Sequence, residues 1–279
     1  MILDHRELGV IGVAGCGAMG LPMAERLRAA GFEVWGHDVR PSAEFGAFAG
    51  RMIEDPAEFA ARCDTLLSVV RDRAQTMALC FGEAQRILAR EARPRRLLVC
   101  STLSPRALPE IAARVPAGTS LLDAPMSGAP YRAAAGRLTF MVGGAPGEIE
   151  AVRPLLAALG ETVHHLGPLG AGMTCKVLNN FVAASSVVAV RRALAAAAAL
   201  GVEAGTLLEV MRTSSGGTWY GDNLERIAWA REGYAPGSTI AILEKDVRSF
   251  ADALGPGAEE EGLVAALLEA LRGLEPLDA

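Results

Sequence analysis

The chain has 279 residues, a formal net charge of -5 and 51% hydrophobic side chains. That length accommodates two hydrophobic cores, and the mildly acidic balance leaves no electrostatic footprint for nucleic acid. The five cysteines (Cys16, Cys63, Cys80, Cys100 and Cys175) are odd in number and lack CxxC or metal-ligand spacing, which predicts reduced thiols, a cytoplasmic protein and no metal site.

In chain order, strand-forming runs are expected at 9–14, 33–37, 65–70, 97–100, 119–123, 138–142 and 162–166. Amphipathic stretches at 18–30, 56–62, 74–90, 105–114 and 147–159 lie between most of them, an alternation that predicts βαβ units and a mostly parallel sheet. From 173 onward the periodicity is helical throughout, at 173–200, 204–213, 219–231, 238–254 and 258–273. The expected architecture is therefore an α/β domain over 1–167 and an all-α domain over 168–279, joined by a long helix. Residues 9–24 are apolar, but five glycines and the preceding Asp4 and Glu7 are wrong for a signal peptide. The apolar run 181–200 has Arg191 and Arg192 in its middle. Each would cost about 2.5–3.5 kcal/mol in a bilayer, so a buried helix and no membrane contact are expected.

Gly15-Cys16-Gly17-Ala18-Met19-Gly20 follows the first strand and opens a helix. In that context the first glycine permits a tight turn, the second lets a pyrophosphate approach the backbone, and the third allows close helix–strand packing. Asp38 ends the second strand, 18 residues after Gly20. A carboxylate there accepts hydrogen bonds from a ribose and repels a 2′-phosphate, which favours NAD over NADP. Arg40, two residues on, offers an alternative seat for that phosphate.

Of the 27 basic side chains only Lys176 and Lys245 are lysines. Arginine stays charged, whereas lysine can shed a proton when buried. Lys176, Asn179 and Asn180 lie at i, i+3 and i+4, on one helix face. An ammonium and an amide projected together can hold one oxygen and exchange a proton with it. The competing reading is a solvated lysine, which is disfavoured because a cation at a helix N-terminus opposes the dipole.

Five ordered segments carry a resemblance: GCGAMGLPMA at 15–24, VCSTLSP at 99–105, DAPMSGAPYRAAAGRLTFMVGG at 123–144, GAGMTCKVLNN at 170–180 and LEKDV at 243–247. Together they resemble the β-hydroxyacid dehydrogenase family, which includes 3-hydroxyisobutyrate dehydrogenases and tartronate-semialdehyde reductases. The resemblance implies a Rossmann-type N-terminal domain and hydride transfer between NAD and a short β-hydroxy acid or its semialdehyde. It implies that Lys176 is the general acid/base, while Ser127, Gly128, Ala129, Asn180 and Thr102 bind the carboxylate-bearing substrate. Gly15, Gly17, Ala18, Met19, Gly20, Asp38, Val39, Arg40, Val70, Arg71, Thr102 and Lys245 are the implied cofactor contacts, and a homodimer or homotetramer the implied assembly. Thr102 also reads as part of a helix cap, Ser127 as a turn residue, and Lys245 as a surface charge beside Glu244.

Three positions depart from the pattern. Ala129 replaces a common second glycine, Val70-Arg71-Asp72 replaces Leu-Pro-Asp, and Arg192 stands where glutamate is common. His164 and His165 close a strand, where alternation turns only one inward. Trp219 reads equally as a core residue or a cleft residue. Rival readings are a 6-phosphogluconate dehydrogenase-like or imine reductase-like enzyme, or a catalytically altered cofactor sensor or reader. Asn179 in place of histidine argues against the first and Lys176 against the second. The sensor would be expected to lose the lysine or the substrate loop, and both are present.

Overall fold

The computed structural model describes residues 7–88 and 94–277. Two compact units emerge, Met1–Lys176 and Val177–Ala279.

The first unit contains β1 (Ile11–Ala14), α1 (Gly20–Ala29), β2 (Val34–His37), α2 (Pro56–Arg62), β3 (Thr65–Ser68), α3 (Arg73–Phe81) and β4 (Arg96–Val99). It continues through α4 (Leu108–Arg114), β5 (Ser120–Asp123), β6 (Met126–Ser127), α5 (Pro130–Ala134), β7 (Leu138–Gly143), α6 (Pro146–Leu159) and β8 (Gly160–Gly167). The sheet order is β2-β1-β3-β4-β5-β7-β6, with β8 also paired to β7. Strands β1 to β5 are parallel, while β7 runs antiparallel to β5 and β6. Strand β8 is parallel to β7.

Alternating strand residues feed two cores. Val13, Leu67 and Leu98 pack with Met23 and Leu27 of α1 and Val152 and Leu155 of α6. Leu66, Leu97 and Val99 pack with Phe59 of α2, Leu79 of α3 and Ile111 of α4. Helices thus cover both sheet faces, as burial of a parallel sheet requires. The order reverses between β1 and β3, which makes the carboxyl ends of those strands the expected ligand crevice.

The second unit is helical and is built around α7 (Ala171–Ala199), whose first residues belong to the first unit. It adds α8 (Ala204–Arg212), α9 (Trp219–Asp222), α10 (Thr239–Leu254) and α11 (Glu261–Arg272). Among the described residues α7 alone is long and apolar enough to cross a membrane. Here it supplies Val177, Ala184, Val187 and Val190 to a core shared with Val247 and Phe250 of α10 and Leu267 of α11. Arg191 is buried there, and its guanidinium donates to the carbonyls of Ala230, Glu232 and Glu275. Arg192 instead lies exposed and reaches the Gly273 carbonyl just past α11.

Four expectations need correction. The helix expected over 74–90 ends at Phe81, and residues 89–90 lie outside the described range. After Gly82 the chain folds back, so that Ile87 and Leu88 donate to the carbonyls of Leu79 and Cys80 and enter the core. The helix expected over 219–231 stops at Asp222, and the chain beyond it is tied back by the Ala230 carbonyl, which accepts from the Tyr220 hydroxyl and Arg191. His164 and His165 are both exposed, so neither turns into the core despite the alternation. Trp219 is 48% exposed, so it is not a core residue.

Glu244 ties the second unit together. It accepts hydrogen bonds from Arg272 (2.6 Å), Arg248 (2.8 Å) and the Tyr234 hydroxyl (2.6 Å). The Arg272 bond leads in holding its carboxyl down to about 2, against an ordinary 4.5. A depressed acid contributes its stability above the unfolded value and loses it as pH falls through the folded one. Thermal stability should therefore fall between pH 4.5 and about 2. Glu244→Gln should flatten that slope and cost about 2 kcal/mol at neutral pH, as measured by denaturation across pH.

Candidate active site

The glycine loop sits at the carboxyl end of β1, beside β3. Gly15 has φ +92°, and a Cβ there would stand 2.7 Å from the Val69 carbonyl oxygen. Its N–H is bonded to the His37 carbonyl at 2.8 Å, which pins the turn to β2. A Cβ on Gly20 would collide with the Gly15 carbonyl oxygen, so the third glycine lets α1 start directly against the turn. At Gly17 a Cβ would meet nothing within 4 Å. Gly17 and Ala18 are exposed, and Met19 is half-buried. Open space at the second glycine, with the first and third closely packed, suits a pyrophosphate lying against the helix start.

Asp38 follows β2 and is tied to this loop. Its Oδ2 accepts the Cys16 N–H at 2.8 Å, and its Oδ1 accepts the Arg40 N–H and Nε–H at 3.1 and 3.0 Å. Burial opposes the charge on Asp38, but the Arg40 hydrogen bonds outweigh it and hold the carboxyl below its ordinary value. The Arg40 guanidinium also donates to the Cys16 carbonyl at 3.0 Å and lies over the Phe45 ring at 4.7 Å. Arg40 is thus engaged by Asp38 itself. Val39 between them is 84% exposed, an apolar surface at the tip of the strand. Burial, with the Asp38 charge second, pushes the Cys16 thiol up to about 12, which keeps it protonated and unreactive.

Val70 touches Gly15, since a Cβ on that glycine would lie 2.9 Å from Val70 Cγ1. Arg71 is exposed and donates its N–H to Gln75 Oε1 at 3.0 Å, while Asp72 caps α3. Thr102 is half-buried in the turn after β4, and Ser104 rather than Thr102 caps the following turn. Nearby, the hydroxyls of Ser68 and Ser101 are buried without a partner among the described residues. Orphaned polar atoms at this edge are unusual for a core, and they fit a site that receives a polar ligand.

The loop after β5 carries the expected substrate contacts. Ser127 ends β6 opposite Thr139 of β7 and is half-buried. Gly128 has φ +140°, and a Cβ there would stand 2.8 Å from Leu138 Cδ2, so only glycine fits. Ala129 has an ordinary extended backbone (φ -91°), is 8% exposed, and leads into α5. Its methyl is therefore tucked into the structure without backbone strain.

Helix α7 carries the third group. Lys176 is 6% exposed and Asn180, one turn further, 8%. Asn180 donates to Asp246 Oδ2 at 2.5 Å and accepts from Asn179 at 3.1 Å, so its amide orientation is fixed. Asp246 is 4% exposed and also pairs with Lys245 at 2.5 Å. In the sequence Asp246 resembles only the neighbour of Lys245 in a Lys-Asp pair within LEKDV, with no site role of its own. Its signal was adjacency to Lys245; its partner, 66 residues away, carries none.

Residues 10–167 match a family model described as the NAD binding domain of 6-phosphogluconate dehydrogenase. Residues 170–274 match one described as NAD-binding of NADP-dependent 3-hydroxyisobutyrate dehydrogenase. An NAD-dependent L-serine dehydrogenase of Pseudomonas aeruginosa is 39% identical over 215 residues, covering 75% of this chain and 71% of the relative. This chain belongs to the β-hydroxyacid dehydrogenase family. Within that family it is also similar to an L-threonate dehydrogenase of Cupriavidus necator, 35% identical over 87% of this chain and 82% of the relative. A solved 3-hydroxyisobutyrate dehydrogenase of Salmonella typhimurium superposes with a TM-score of 0.78 at 26% identity, covering 94% of this chain and 93% of that one. The family assignment makes the chain an NAD(P)-binding oxidoreductase of the 3-hydroxyacid dehydrogenase type, acting on CH–OH groups. The open backbone at Gly17 and the carboxylate at Asp38 fit such a dinucleotide.

Proposed function

We propose that this enzyme interconverts a short β-hydroxy acid and its semialdehyde, with Lys176 as the proton-transfer residue and NAD as the preferred cofactor. The observation that carries the reading is the buried Lys176, one helical turn from a buried Asn180 whose amide is fixed by Asp246. A bound nicotinamide supplies the hydride acceptor or donor. In the oxidative direction the hydroxyl proton passes to Lys176 Nζ as the carbonyl forms, and in reduction the same ammonium returns it to the alkoxide oxygen. Asn180 orients that oxygen through its remaining amide hydrogen. The Ser127 hydroxyl and the backbone at Gly128 hold the substrate carboxylate without a full positive charge. Serine, threonate and 3-hydroxyisobutyrate all present a carboxylate and a nearby hydroxyl. The names of the relatives thus define the range to test.

The cofactor preference rests on Asp38. Its carboxylate is kept ionised by Arg40, and the same contacts occupy Arg40 away from a 2′-phosphate. Asp38→Ala should weaken NAD⁺ binding by roughly tenfold, the value of about one charged hydrogen bond, and raise relative use of NADP⁺. An unchanged ratio of the two cofactors would sink the assignment. Activity itself is tested with L-serine, L-threonate and 3-hydroxyisobutyrate against NAD⁺ and NADP⁺. Turnover of at least one acid, faster with NAD⁺, is expected. Tight cofactor binding without turnover of any would favour a sensor.

A further inference from the structure

Asp123, the last residue of β5, has no exposed surface. In the sequence it ends a strand and opens the segment at 123–144 without a role of its own, and the proposed chemistry does not require its charge. Its Oδ1 accepts the Gly170 N–H at 2.8 Å and its Oδ2 the Met173 N–H at 2.6 Å. The Met173 N–H lies in the first turn of α7 and the Gly170 N–H directly before it, where the helix itself provides no acceptors. An ordinary cap comes from the residue just before the helix. This one comes from 47 and 50 residues away.

Two glycines are shaped to this carboxylate. A Cβ on Gly143 would collide with Asp123 Oδ1, and one on Gly172 would stand 2.9 Å from Oδ2. Gly143 also pairs with Asp123 in the β5–β7 ladder. The ends of two strands and the start of α7 therefore close on one buried carboxylate. Burial holds the Asp123 carboxyl above its ordinary value, although backbone N–H groups, those of Gly170 and Met173 foremost, pull partly the other way.

We propose that Asp123 is a positioning residue for Lys176. It fixes the start of α7 against the sheet edge, and Lys176 follows Met173 by three residues, less than one turn later. A helix transmits displacement of its first turn to the next, and a misplacement of about 1 Å at a reacting group can cost roughly 10²-fold in rate. The proposal rests on the proton-transfer reading of Lys176.

The test compares Asp123→Ala, Asp123→Asn and Lys176→Ala in the full chain. Readouts are NADH affinity, kcat and KM for the best acid found, and hydrogen exchange at the Gly170 and Met173 amides. Asp123→Ala is expected to lose roughly 10²-fold in kcat, with NADH affinity nearly unchanged and both amides deprotected. Asparagine keeps one acceptor oxygen, so Asp123→Asn should recover roughly tenfold of that loss and stay below native kcat, as a partly retained cap does. Should the alanine variant fail to fold, the asparagine variant decides the matter through a kcat below that of the native enzyme. A folded Asp123→Asn or Asp123→Ala with native kcat overturns the inference, as does a loss confined to thermal stability or KM. Full activity in Lys176→Ala removes the reading beneath it. An inactive Lys176→Ala beside native kcat in the Asp123 variants removes this inference alone.

Discussion

Lys176→Ala is expected to lower kcat by roughly 10²–10⁴-fold, the usual contribution of a positioned general acid/base, while NADH still binds. The chain places arginine nearly everywhere a positive charge stands, yet keeps lysine here. Arginine holds its proton under all physiological conditions and cannot exchange it. The structure adds that Lys176 is 6% exposed. A buried ammonium is expensive unless it has partners or a task. Lys176→Arg should therefore be nearly as inactive as the alanine variant, although it preserves charge. Steady-state kinetics with NADH titration by fluorescence separates the two effects. Native kcat in either variant would contradict the assigned role.

The second large effect is expected at the glycine loop, where two glycines should fail differently. Gly20→Ala drives a methyl into the Gly15 carbonyl oxygen, and Gly15 has nowhere to retreat. It is bonded to His37 behind, and its own Cα hydrogen points at the Val69 carbonyl. Overpacking of this kind costs about 1–3 kcal/mol, so thermal stability and NADH affinity should both fall, the latter by roughly ten- to hundredfold. Gly17→Ala places its methyl in open space. It should leave thermal stability unchanged and weaken NADH, because the methyl occupies the volume a pyrophosphate would take. Calorimetry and NADH titration on both variants check this. Equal NADH affinity in Gly17→Ala and the native protein would place the cofactor elsewhere.

What the sequence revealed followed the range of each signal. Strands β1 to β5 were legible because parallel, doubly covered strands are short apolar runs between turn signals. The turn from β1 into α1 was legible because three glycines at fixed spacing follow an apolar strand and open an amphipathic helix. Strand β6, two residues long, has no period to detect. The break at Phe81 depends on Ile87 and Leu88 returning to bond the previous turn, a choice decided by the core beneath them.

The same distinction holds in the site. Lys176 and Asn180 were visible because helical spacing puts them on one face. Asp38 was visible from its distance to the glycine loop. The grip of Arg40 on Asp38, the Asp246 bond to Asn180 and the Asp123 cap on α7 were not. The first joins residues two apart, and its side-chain geometry is not written in the sequence; the other two join partners 47 to 66 residues away, set by tertiary packing. Residue type alone says that a buried carboxylate needs donors; it does not say which ones.

The most direct test of the account follows the hydride. Acids from the tested range, deuterated at the carbon that bears the hydroxyl, are incubated with NAD⁺ and the native enzyme, and the reduced cofactor is examined by mass spectrometry and proton NMR. Deuterium is expected at C4 of the nicotinamide ring for at least one acid, formed at least about 10²-fold more slowly with Lys176→Ala under the same conditions. Reduced cofactor without deuterium, or no reduced cofactor from any acid despite tight NAD⁺ binding, would contradict the account.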